Sequence, residues 1–79
     1  MNQNPTAHLV VADPSFLVGK RVSHKFITDE ERKEVWYTGE VLDYDSKEKV
    51  HAIKYDGEEQ LYYFDLSVDI IEGDLVILS

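Results

Sequence analysis

Four aromatic side chains stand where binding chemistry could be built. Phe26 closes one strand-like run, Trp36 begins the next, Tyr55 ends a third just before Asp56-Gly57, and Tyr62 lies early in a fourth. Positions near strand ends lie at the mouth of a small barrel, and rings gathered at a mouth can enclose a cation. An alkylated ammonium suits such a box: its charge is drawn to the ring faces, and its methyl groups tolerate the loss of water. The other reading is that the rings fill a small core, as most aromatics of small barrels do. Spacing along the chain leaves both readings open.

The residues that could support catalysis are scattered. His8 lies in the N-terminal lead, while His24 and His51 fall in separate strand-like runs, and no pair has the spacing of a zinc site. His24 and His51 read as solvated or packed strand residues. The sequence has no cysteine, which excludes disulfides and thiolate metal sites. Ser15, Ser23 and Ser67 lack the setting of a nucleophile elbow. There is no glycine-rich phosphate loop. Carboxylates are abundant, but none has apolar neighbours that would raise its pKa for acid–base work. The expectation is a non-enzymatic domain with no cofactor and no metal.

The elements that would position the four rings are short. The chain has 79 residues, enough for one small domain with a thin core. Residues 1–15 read as a tail, punctuated by Asn4-Pro5 and Asp13-Pro14-Ser15. Within it the apolar run Leu9–Ala12 fits an added edge strand, a segment for self-association or a partner protein, or a disordered lead. Residues 16–79 read as the folded domain. Strand-like runs cover Lys20–Phe26, Val35–Asp43, Lys49–Tyr55, Glu59–Leu66 and Leu75–Leu78. The charged stretch 27–34 has no apolar stripe and reads as a loop. Gly39 marks a bend or bulge, and Asp56-Gly57 signals a hairpin. Ser67–Asp74 suits a single helical turn ended by Gly73. Five short strands without a long helix predict an all-β fold: a small SH3-like or Tudor-like barrel, with one short helical turn before the last strand.

Charge narrows the partners. The formal net charge is −8, and residues 40–79 carry all of it, with eleven acids against three bases. Such a surface repels phosphate backbones, so direct nucleic-acid binding is not expected. It attracts basic peptides. No run of about 18 apolar residues is present to span a membrane as a helix. The N-terminus lacks the basic flank and apolar stretch of a signal peptide, so a soluble intracellular protein is expected.

From Val18 onward the order of residues resembles the Tudor-like repeat of the Spindlin (Spin/Ssty) family. The resemblance rests on Val18-Gly19-Lys20-Arg21-Val22-Ser23-His24-Lys25-Phe26 and Trp36-Tyr37-Thr38-Gly39-Glu40-Val41-Leu42. It continues through Ile53-Lys54-Tyr55-Asp56-Gly57, Leu61-Tyr62-Tyr63-Phe64-Asp65-Leu66 and Glu72-Gly73-Asp74-Leu75-Val76-Ile77-Leu78. It implies a five-stranded barrel that reads methylated histone tails, with trimethyl-lysine of the histone-three type held in a cage. The positions similar to the family's cage are Phe26, Trp36, Tyr55 and Tyr62. Asp69 and His24 match positions that meet the tail, and Glu58 is a further acid placed to contact it. The implied partner is a methylated histone tail or another basic methylated peptide, and the implied location is the nucleus. A methyl-arginine reader and an acidic adaptor barrel without methyl recognition are the alternatives. The family carries three such repeats where this chain carries one.

Overall fold

The computed structural model describes residues 5–79, so the first four residues of the expected tail lie outside it. Three successive antiparallel pairings supply most of the sheet. Strand β1 (Arg21–Ile27) pairs with β2 (Glu34–Asp45), which pairs with β3 (Val50–Tyr55), and β3 pairs with β4 (Leu61–Phe64). The last strand, β5 (Leu75–Ile77), returns to the other side of β1. The ladder therefore runs β4-β3-β2-β1-β5. No ladder joins β4 to β5 among the described residues, so the barrel-like sheet stays open at that seam.

One face of the sheet forms the core. Val22 from β1, Val41 from β2, Ile53 from β3 and Leu75 from β5 are all buried there. Their inward positions follow the two-residue alternation of strand side chains. Helix α2 (Leu66–Glu72) connects β4 to β5 and adds Leu66 and Ile70. It is longer than the single turn expected from the sequence. Asp65 caps its start by accepting from the Ser67 N–H. Gly73 closes its end with a left-handed φ of 83°. The Gly73 and Asp74 N–H groups return to the carbonyls of Ile70 and Asp69, which satisfies the terminal carbonyls of the helix.

The N-terminal segment corrects the sequence reading. Leu9–Ala12 is the second half of helix α1 (Pro5–Ala12), not an edge strand. Pro5 stands at its first position, where a fixed φ costs nothing. Asp13, restricted by the following proline, leaves the helical region with φ −144° and ψ 89° and ends the helix. The three-residue spacing of Ala7 and Val10 puts both on the core, while Leu9 and Val11 remain exposed. The two adjacent β-branched valines suggested a strand, but packing of one helical face outweighs that preference. A 3-10 turn at Pro14–Leu17 then delivers Leu17, fully buried, to the same core.

A buried histidine and a buried glycine hold these layers together. His51 is 0% exposed: its Nε2 donates to the Pro14 carbonyl at 2.8 Å, and its Nδ1 accepts from the Leu66 N–H at 3.2 Å. One imidazole thus ties the N-terminal turn and the start of α2 to β3. Gly39 lies where β2 passes between β1 and β3, opposite Val22 and Tyr55. A Cβ there would sit 2.6 Å from the Lys54 carbonyl oxygen, so a close strand approach requires glycine. The β-bulge expected at Gly39 instead falls between Val41 and Asp43.

Candidate functional site

The alternation of β1 fixes the first wall. His24 and Phe26 share the inward face of that strand, and the cross-strand register brings Tyr37 opposite His24. Residues paired across an antiparallel ladder point to the same side, so Tyr37 joins His24 and Phe26. On β3, Tyr55 lies opposite Gly39, whose missing side chain lets the β3 backbone approach closely. On β4, Tyr62 and Phe64 are the inward members, paired with Ile53 and His51. The loop from Asp56 to Gln60 carries Glu58 back to the same place.

Phe26, Tyr37, Tyr55, Glu58, Tyr62 and Phe64 line a cavity of about 270 Å³. Its rings meet at steep angles. Phe26 stands edge-on to Tyr37, Tyr55 and Phe64, with centroids 5.6, 5.8 and 5.8 Å away. Tyr55 also adjoins Tyr37 at 6.3 Å and Tyr62 at 5.6 Å, with planes inclined at 72° and 60°. Phe26 and Tyr55 thus form the centre, and Tyr37 and Tyr62 stand on either side. Neighbouring rings so inclined present several faces to one open cavity. The volume falls just below the roughly 300–1,000 Å³ of sites for drug-sized ligands, a size that favours a side-chain head group over a large cofactor.

Behind the cavity, His24 is buried at 3% exposure. Its Nε2 lies 2.8 Å from the Asp69 carboxylate and its Nδ1 lies 2.7 Å from the Tyr55 hydroxyl. In the neutral imidazole the carboxylate accepts the Nε2 proton, so Nδ1 accepts from the Tyr55 hydroxyl. This chain of two hydrogen bonds pins the Tyr55 ring from its far end. Burial, with the Asp69 charge next, pushes the Tyr55 hydroxyl well above the ordinary tyrosine range. The Tyr62 hydroxyl is also raised, first by the charge of Glu58 and then by desolvation. Both rings therefore remain neutral phenols near pH 7, with electron-rich faces.

The structure brings three of the four expected cage residues together: Phe26, Tyr55 and Tyr62. It does not bring Trp36. Trp36 pairs with Lys25 across the ladder and lies on the opposite face of β2, 43% exposed, with the Lys25 ammonium 5.9 Å above its ring. Tyr37, one residue further, occupies the fourth wall, and Phe64 adds a fifth ring. Neither was singled out from sequence. The signal was parity: Tyr37 is in step with Gly39 and the buried Val41, and Phe64 with Tyr62. Of the expected tail contacts, Glu58 lies at the cavity, whereas His24 and Asp69 form the support behind Tyr55.

The loop that carries Glu58 is anchored at its start. Asp56 forms an ion pair with Arg21, and its N–H donates to the Thr38 carbonyl. The hydrogen bond from Arg21 holds the Asp56 carboxyl below the usual carboxylate range. Three carboxylates, Asp69, Glu72 and Asp74, bring one oxygen each within 4.8 Å of one another near the end of α2. Asp69 is engaged by His24 and Asp74 by Lys25 at 3.2 Å.

With that geometry in place, comparison with known proteins assigns the family. The Spin/Ssty family profile matches residues 18–67. The chain belongs to the Spin/Ssty family. No match is found among curated proteins. The Spin/Ssty match contains four of the five strands, every cavity-lining residue and His24, and it ends before Asp69. Helix α1 lies outside the Spin/Ssty match, although Ala7 and Val10 belong to the core.

Proposed function

We propose that this domain is a non-catalytic reader of a methylated lysine in a basic tail, with trimethyl-lysine of a histone tail the form suggested by the family resemblance. The observation that carries the reading is the convergence of five rings from four strands on one cavity bordered, among the described residues, by a single carboxylate. Each cation–ring contact contributes about 0.5–2 kcal/mol, depending on how far the cation is desolvated. Several together supply a large part of the roughly 8 kcal/mol that micromolar binding requires, before ordering of the tail is subtracted. Acidic residues of the second half of the chain supply long-range attraction, which acts chiefly on the association rate and weakens with salt. In this reading the domain acts on chromatin in the nucleus.

The test is a paired titration of labelled protein with a histone-three tail peptide, unmodified and carrying methylated lysine. Shifts confined to Phe26, Tyr37, Tyr55, Tyr62 and their neighbours, seen only with the methylated peptide, support the reading. Equal binding of both peptides ends it.

A further inference from the structure

Resting on the reading of the cavity as a methyl-lysine cage, we propose that Glu58 sets the degree of methylation it accepts, favouring dimethyl-lysine over trimethyl-lysine. Among the described residues, Glu58 is the one charged residue lining the cavity. Its Oε1 accepts from the Tyr62 hydroxyl at 3.3 Å, and its Oε2 is open to a further donor. The other lining residues are Phe26, Phe64 and three tyrosines, and the Tyr55 hydroxyl is already held by His24. The cavity thus combines ring faces with one strong acceptor at its rim.

The methylation states differ in the donors they bring to such a site. A dimethylammonium keeps one N–H. That N–H meets the free carboxylate oxygen in a charge-assisted hydrogen bond, while both methyl groups face rings. A trimethylammonium has no N–H. Its third methyl would be pressed against the carboxylate, removing water from an oxygen that receives no hydrogen bond in return. An unmodified ammonium has no methyl groups to set against the ring faces and exchanges strong hydration for a single carboxylate and neutral phenol oxygens. Of these three forms, only the dimethyl one brings both methyl groups for the rings and an N–H for the carboxylate. Glu58 is an exposed residue, so the hydrogen bond is partly solvated and its effect is moderate.

The experiment compares Nα-acetyl-lysine amide in unmodified, dimethyl and trimethyl forms, which present the head group without a tail sequence. Each is titrated by NMR into the 79-residue protein and into its Glu58→Gln and Glu58→Ala variants. The dimethyl form is expected to bind the wild type about threefold to tenfold more tightly than the trimethyl form. Glu58→Ala brings the ratio to one or below, and Glu58→Gln, which keeps a neutral acceptor, gives an intermediate ratio. Because Glu58 is an exposed loop residue outside the core, both variants should fold, as their spectra would show. Trimethyl binding equal to or tighter than dimethyl in the wild type, or a ratio that Glu58→Ala leaves unchanged, overturns the proposal while the cage survives. If neither methylated form binds the wild type more tightly than the unmodified one, the cage reading itself fails.

Discussion

Replacing Tyr37 with alanine, beside the matching replacement of Trp36, separates the two faces of β2. Tyr37 is half exposed and stands at the cavity with its ring edge-on to Phe26 and Tyr55. Its removal deletes one cation–ring contact, about 0.5–2 kcal/mol, which corresponds to a loss of about twofold to thirtyfold in affinity for a methylated ligand. The lost ring pairs should also lower stability by about 1 kcal/mol, because each aromatic contact contributes about that much. Trp36→Ala removes a larger ring, but one on the far side of the strand that touches Lys25. Affinity should change by less than about twofold. Calorimetric titration with a trimethyl-lysine or dimethyl-lysine peptide reads the affinities, and thermal unfolding followed by circular dichroism controls for stability. The wild type offers a second readout without mutation. Trp36 is the only tryptophan, so its emission should hardly move when the cavity fills. A strong change of tryptophan emission on binding, or a larger loss of affinity from Trp36→Ala than from Tyr37→Ala, refutes the assignment of the fourth wall.

Other perturbations probe the frame. His51→Ala leaves the Leu66 N–H and the Pro14 carbonyl buried without their partner and opens a cavity, so chemical denaturation should show a loss of about 2–4 kcal/mol. Gly39→Ala forces a Cβ against the Lys54 carbonyl, 2.6 Å away, and against the Tyr55 Cα, 3.0 Å away; stability should fall by about 1–3 kcal/mol, with weaker ligand binding measured in parallel. Because the hydroxyl of Tyr55 resists ionisation in the folded state, its contribution to stability is present below about pH 10 and is lost as pH rises above that value, where the unfolded chain ionises. Thermal melts from pH 8 to 12 should therefore decline on the alkaline side, and less steeply in Tyr55→Phe.

The strand pattern and its chemistry were legible in the residues themselves. Alternating β-branched and aromatic runs, broken by the charged stretch 27–34 and by Asp56-Gly57, place five strands close to where they lie. The ordered resemblance from Val18 onward pointed to the family that the profile match confirms. Absent cysteines and the acidic second half bounded the chemistry without any coordinates. These features are local, or are simple sums over the chain, and so survive without knowledge of the fold.

Tertiary structure decided what depends on long-range register. Trp36 and Tyr37 are adjacent aromatics, and either could have faced the cavity. The pairing of Tyr37 with His24 and of Gly39 with both Val22 and Tyr55 selects Tyr37, because a one-residue slip reverses the faces of a strand. Leu9–Ala12 became helical because a core exposed by the open sheet accepts Ala7 and Val10 at helical spacing. His24 and Asp69 lie 45 residues apart, and only the return of α2 toward β1 turns them into the support of Tyr55. Side-chain type is written in the chain, but the face that each side chain occupies is set by partners distant along it.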